Sequence, residues 1–314
     1  MSGTSSAGQI VLALVGPTAV GKTELAMHLA RSLEGEIVSL DSRQMYRGMD
    51  IGTAKPSAAE RAAVPHHLID LVTPDRSLSL AEVQSLALTS IDAILARGRL
   101  PILAGGTGQY LRALVDGWVI PAVPPDPELR AELYALADRL GAAHLHARLA
   151  AVDPVSAGRI HVHNLRRVIR ALEVQHHLGE PISDIQDRAE PRHAFRIAGL
   201  RRSREVLYAR IDARIDAMLA AGLEAELRRL VSAGYGFDLP AMSALGYREW
   251  QGYLAGEIDL VGVRDQIRRN TRRLARSQDG WFRADDPRLR EFDLDLVPTP
   301  TLIGDIRDWL AGRS

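Results

Sequence analysis

The chain contains no cysteine and only two lysines, against 37 arginines in 314 residues. The first absence excludes a disulfide framework and any thiolate metal site, and it fits a reducing compartment. The formal charge is zero, so there is no basic bulk of the kind that marks wholesale nucleic-acid binding. No apolar run reaches membrane-spanning length, and Met1 to Gly8 is Ser/Gly-rich without the charged and apolar regions of a leader. These absences predict a cytoplasmic protein. Apolar residues make up 46% and charged residues 25%, an ordinary globular balance in a chain long enough for one large or two modest domains. The arginine bias reads as coding composition, so arginine counts alone carry no functional argument.

What is present stands out against that background. One of the two lysines, Lys22, closes Gly16-Pro17-Thr18-Ala19-Val20-Gly21-Lys22-Thr23. This Gly-x-x-x-x-Gly-Lys-Thr pattern is a phosphate-binding loop, and a compact ammonium suits a tight turn that the guanidinium fork fits poorly. The apolar stretch Ile10 to Val15 precedes the loop, and Leu25, Leu29 and Leu33 follow it at helical spacing. That context predicts a buried parallel strand, a glycine loop and a helix whose N-terminus faces a polyphosphate. A glycine turn that binds nothing is the bland alternative.

Glu36 to Leu40 reads as a second strand ending on Asp41-Ser42-Arg43-Gln44, which puts a carboxylate at a strand end near the loop. On base rates such an aspartate is a turn or helix cap. The stretch from Met45 to Asp70 has little periodicity yet many specific polar groups, which marks a functional loop. A third strand, Leu100 to Ala104, ends on Gly105-Gly106-Thr107. An NTPase that drives a motor or switch usually has an acid at such a strand end to manage Mg²⁺ and water. Here Asp41 is the obvious free carboxylate. On the residues alone, a small-molecule kinase and an NTP-driven nucleic-acid-binding module both remain open.

The remainder is mostly helical. A Pro-rich stretch from Pro121 to Pro127 and Gly179-Glu180-Pro181 bracket a helical segment, after which Phe195 to Leu200 resumes a strand. The simplest reading is an α/β fold, a P-loop NTPase-like parallel sheet flanked by helices, with an inserted all-helical domain. Residues 9–125 and 183–314 form the catalytic core with its C-terminal helices, and 126–182 form the insert. A long helix is expected from Ser203 to about Ala233. It carries Arg210 and Arg214 four apart with no acid three or four positions from either, so their counter-anion must come from elsewhere. Two further stretches are rich in arginine. Arg159 to Arg170 has no acid, and Arg268, Arg269, Arg272, Arg273 and Arg276 recur at helical spacing, as a ridge that tracks phosphates would. A solvated helix face explains either run equally simply.

The phosphate loop, Asp41-Ser42-x-Gln44-x-Tyr46-x-Gly48-Met49-Asp50-Ile51-Gly52-Thr53-Ala54-Lys55-Pro56, Pro65-His66-His67-Leu68-Ile69-Asp70, Gly105-Gly106-Thr107-x-x-Tyr110 and Arg170-Ala171-Leu172-Glu173-Val174 resemble the tRNA dimethylallyltransferase, or tRNA isopentenylpyrophosphate transferase, family in its bacterial form. The resemblance runs from residue 16 to about residue 283. It implies transfer of a dimethylallyl group from dimethylallyl diphosphate to an adenosine amine beside the tRNA anticodon, with Mg²⁺ assisting. It further implies Asp41 as general base, Thr107 in the reaction channel, and a diphosphate held by Gly16 to Thr23 and Arg210, with Thr23 toward the metal. RNA contacts are implied at Asp41, Ser42, Arg43, Gln44, Thr107, Arg130, Arg166, Arg167, Arg170, Gly246, Tyr247, Arg248, Arg276, Gln278, Trp281 and Arg283. The partners would be a tRNA anticodon stem-loop and the prenyl diphosphate. A monomer without an obligate protein partner or a membrane is expected. Where the family commonly reads Lys/Arg-Arg-Gln-x-Thr-Trp-Phe-Arg, this chain has Arg276-Ser277-Gln278-Asp279-Gly280-Trp281-Phe282-Arg283, so a basic residue and a threonine are missing.

Overall fold

A computed structural model describes residues 10–185, 189–278 and 285–312. Six strands, β1 (Ile10–Val15), β2 (Gly35–Ser39), β3 (His66–His67), β4 (Leu100–Ala104), β5 (Ala194–Arg201) and β6 (Leu289–Asp293), form one sheet in the order β3-β2-β4-β1-β5-β6. Every pairing is parallel. Val11 to Leu14 and Ile102 to Leu103 are at most 1% exposed, so β1 and β4 are covered on both faces, which is why they read as unbroken apolar runs. The edge strand β6, Leu-Arg-Glu-Phe-Asp, is mostly exposed and buries only Phe292. Its charges blunt the edge, and they also hide it from a search for apolar runs.

The carboxyl ends of β1, β2 and β4 lie side by side. Ala104 accepts from Leu40 N (2.8 Å), and Leu40 O accepts from Thr107 N (3.1 Å). A side chain at Gly105 would sit 2.3 Å from the Leu40 carbonyl, so this close approach requires glycine. The sheet thus brings the phosphate loop, Asp41 and Thr107 to one edge of the fold. This is where open α/β sheets bind ligands.

The expected helix after Ser203 is two helices, Arg204–Ala220 and Leu223–Ser232, divided at Gly222, whose φ is +95°. The irregular stretch after Asp41 holds one short helix, Ala58–Ala63, started by a Ser57/Glu60 capping box. It is cross-tied by the second lysine. Lys55 Nζ, on a side chain 1% exposed, donates to Tyr46 O (2.7 Å) and reaches Asp50 and Asp70 (2.6 Å each).

By compactness the chain divides into two units, residues 1–78, 85–111 and 193–314, and residues 79–84 with 112–192. The second is helical. Helices Pro127–Leu140, Ala142–Val152, Pro154–Arg159 and Leu165–Leu178 enclose a core that includes Leu133, Leu145, Leu149, Val168 and Leu172. Asp126, Asp153 and Asn164 cap three of these helices through their side chains.

Candidate active site

The phosphate loop follows β1 directly. Gly16 (φ +141°) and Gly21 (φ +117°) take backbone conformations closed to other residues, and a Cβ at Gly16 would meet Leu200 O at 2.5 Å. Lys22 begins the helix Lys22–Ser32 and folds back over the loop, its ammonium donating to Gly16 O and Pro17 O at 2.9 Å each. Arg210 Nε donates to Ala19 O and Arg202 Nε to Val20 O, both at 2.9 Å. With these carbonyls held by cations, the loop is fixed and rimmed with positive charge. Arg210 also approaches Glu24 on the phosphate-loop helix at 3.5 Å. Thr23, which the resemblance puts toward a metal, is exposed.

Asp41 stands at the end of β2. Its Oδ1 accepts from Arg43 N (2.9 Å), and its Oδ2 lies against Gly106, where an added Cβ would meet it at 3.2 Å. Burial pulls the Lys22 ammonium down to about 8; the Asp41 carboxylate opposes that shift and the Arg214 guanidinium adds to it. Arg214 is likewise lowered by burial and supported by Asp41. The Asp41 carboxylate thus favours the charged form of both cations. Thr107 Oγ1 accepts from Ser42 N (3.0 Å), which joins the ends of β2 and β4. Beneath Gly105 to Thr107, Leu14, Leu40, Leu103 and Leu111 line an apolar slot that Gln278 also borders.

Several residues implied as RNA contacts have internal partners. Gln44 accepts from Ser39 Oγ (2.8 Å) and donates to Thr53 O and Ala54 O, while Arg43 donates to Pro240 O (2.7 Å). Tyr247 is fully buried, and its hydroxyl donates to Glu226 (2.6 Å). That carboxylate, itself 1% exposed, also accepts from the backbone of Asp50, Ile51 and Gly52. Burial together with Glu226 raises the Tyr247 hydroxyl far above its usual range. Gly246 (φ +93°) packs against Gly52. Arg248 is exposed, with its Nε on Glu249 (3.1 Å). Gln278 is 7% exposed. Trp281 and Arg283 lie outside the described residues.

In the helical unit, Arg166 and Arg167 are exposed at the start of Leu165–Leu178. Arg130 and Arg170 instead converge on Glu173, which is fully buried, at 2.7 and 2.6 Å. Burial alone would raise the Glu173 carboxyl, but the two guanidiniums and Asp126 N outweigh it and hold it at about 2. Because the folded value lies below the free value of 4.5, the contribution to stability is complete above that pH and is lost as pH falls through 2. Glu173→Gln should destabilise the chain by up to about 3 kcal/mol, the low end for a broken buried pair, since both arginines keep a water-facing edge. Urea unfolding at neutral pH checks the magnitude. The gap from wild type should narrow as acid protonates the wild-type carboxyl.

The arginine ridge is divided. On the helix Leu260–Ser277, Arg264 and Arg268 pair with Asp216 (2.8 and 2.9 Å) and Arg272 with Asp212 (2.5 Å), both acids lying on Arg204–Ala220. Arg276 donates to Tyr208 Oη (2.9 Å). Arg269 and Arg273 face solvent. The sequence reading missed Asp212 and Asp216 as partners because they lie 48 to 60 residues from the arginines they bind.

A sequence model of the family described as IPP transferase matches residues 44–285. A protein from Chloroflexus aggregans, named tRNA dimethylallyltransferase, is 57% identical over 273 residues, covering 87% of this chain and 92% of the relative. One of the same name from Desulforudis audaxviator is 47% identical over 292 residues, covering 92% and 94%. Among solved structures, the full-length tRNA isopentenylpyrophosphate transferase of Bacillus halodurans matches with a TM-score of 0.71 at 41% identity, covering 97% of this chain and 96% of that one.

Proposed function

The chain belongs to the IPP transferase family, and from that premise we propose how its residues carry out prenyl transfer to tRNA. The exocyclic amine of an adenosine next to the anticodon attacks C1 of dimethylallyl diphosphate. The C1–O bond breaks, diphosphate leaves into the loop Gly16–Thr23, and Asp41 takes the amine proton. Arg210 and Lys22 stabilise the departing charge, and Thr107 orients the channel between acid and loop. Exposed Arg166, Arg167, Arg248, Arg269 and Arg273 supply phosphate contacts along the RNA.

The observation that carries this reading is the disposition of charge at the loop. Lys22 and Arg210 hold the loop carbonyls, Asp41 after β2 lies against Gly106, and Gly105 and Gly106, which follow β4, carry no acid. Such a site can accept one proton and hold one anion. Among the described residues, the turns that follow β2 and β4 carry Asp41 but no second acid of the kind with which a nucleoside triphosphatase manages metal and water.

Mg²⁺ fits as an ion held chiefly by its ligand. The described residues contain no group of three or more His, Asp or Glu that could hold a metal, and Mg²⁺ on a polyphosphate needs few protein donors. The Thr23 hydroxyl, together with diphosphate oxygens and water, would hold it. The ion would neutralise charge on the leaving group. We take the enzyme to act on tRNA as a cytoplasmic monomer; no helix among the described residues is long and apolar enough to cross a membrane.

Purified protein with Mg²⁺, dimethylallyl diphosphate and unmodified tRNA that reads U-initial codons should yield isopentenyladenosine, detected by nucleoside mass spectrometry. Nucleotide hydrolysis stimulated by RNA, with no prenylated nucleoside, would favour an NTP-driven module instead.

A further inference from the structure

Gln278 joins the two halves of the site. Its Oε1 accepts from Thr18 N (2.7 Å) inside the phosphate loop, and its Nε2 donates to Gly106 O (2.9 Å). Both amide atoms are thus used, on a side chain 7% exposed, between segments more than 80 residues apart in sequence. Gly106 is also the residue against which Asp41 Oδ2 rests. The amide therefore spans from the diphosphate grip to the wall of the base. Its backbone is fixed as well, since Gln278 N donates to Leu274 O and Ala275 O at the end of the arginine helix.

From this geometry we infer that Gln278 is a positioning residue that sets the spacing between the phosphate loop and the Asp41–Gly106–Thr107 turn, and is not an RNA contact. The inference rests on the proposed reaction, in which the amine, C1 and the leaving oxygen must lie in line between those two segments. A misplacement of about 1 Å in such a site can cost on the order of 10²-fold in rate. The arginine helix supports the strut through a second path. Arg268 and Arg272 bind that helix to Arg204–Ala220, and Arg210 of the latter holds Ala19 O of the same loop. The two helices therefore grip the phosphate loop at adjacent residues, Thr18 and Ala19.

Two substitutions separate this role from an RNA contact. Gln278→Ala removes both hydrogen bonds. Gln278→Glu keeps the shape and the acceptor for Thr18 N but places an acceptor against Gly106 O. Wild type, assayed in parallel, first establishes prenyl transfer; a wild type that makes no product refutes the proposed function, independently of Gln278. With wild type active, single-turnover rates are measured at saturating RNA and donor, alongside RNA affinity by filter binding and thermal melting. We expect the rate to fall at least fivefold in both variants, with RNA affinity within about threefold of wild type. A smaller fall in rate at saturation, or a loss of RNA affinity beyond that range, overturns the inference. If Gln278→Ala does not fold, the isosteric Gln278→Glu decides by the same criterion.

Discussion

Asp41→Asn should lower turnover by about 10²–10⁴, the range typical of losing a general base, while leaving RNA affinity and the fold in place. The substitution is nearly isosteric, and the amide oxygen can keep the hydrogen bond from Arg43 N. What it removes is the proton acceptor and the charge that faces Lys22 and Arg214. Losing that charge leaves the loop more positive. The KM for the prenyl diphosphate should therefore stay level or fall while kcat collapses. A merely damaged site would raise KM and lower kcat together. Turnover within tenfold of wild type at saturating substrates would remove Asp41 from the role of base and leave the phosphate-loop assignment standing.

The parts of this site that were legible in the sequence are those written in local pattern. The Gly16–Thr23 spacing, the apolar run of β1 and the glycines after β4 each encode their structure within a few residues. Asp41 was legible because a strand end precedes it. Partners distant in sequence were not. Nothing near Glu226 shows that it collects three backbone amides and the Tyr247 hydroxyl, and nothing near Glu173 shows that it absorbs Arg130 and Arg170. Glu173, Arg170 and their neighbours share one short stretch, Arg170 to Val174, in which an ion pair that builds the fold and a contact to RNA read alike. The two-residue β3 and the charged edge strand β6 carry no apolar signal from which a strand could be read.

The two lysines show the same division. Lys55 has the identity of a free surface cation, yet its side chain is 1% exposed and joins Tyr46, Asp50 and Asp70 into one knot. Arg61 strengthens that knot at Asp70 (2.8 Å). The stretch from Met45 to Asp70, which lacks periodicity, is ordered by this cation and by Glu226 in place of a regular hydrogen-bond ladder. An arginine at position 55 would have to fit a planar fork where three oxygens surround a point charge. Lys22 occupies an equally confined seat but has only neutral carbonyls as direct partners.

That difference makes Lys22 the second site of large effect. Lys22→Met should reduce kcat/KM for the prenyl diphosphate by about 10³, since it removes a preorganised cation from the developing negative charge. Lys22→Arg should restore little of it, because the seat between Gly16 O and Pro17 O is tight. The pH dependence then separates this lysine from the surrounding arginines. Burial holds Lys22 at about 8, so in the free enzyme it loses its proton as pH rises through that value. Bound diphosphate raises the pKa by adding opposing charge. Hence kcat/KM for the donor should decline above about pH 8, whereas kcat should persist to higher pH. The effect on stability has the opposite sign. Between about 8 and the free value of 10.5 the unfolded chain holds the proton that the folded chain has released, so this lysine's contribution to stability improves as pH rises. Donor binding would weaken over a range in which this residue's penalty on the fold is relieved. General alkaline unfolding cannot produce that pair of trends, and urea midpoints measured beside the kinetic profiles, with Lys22→Met as the reference lacking both, would distinguish them.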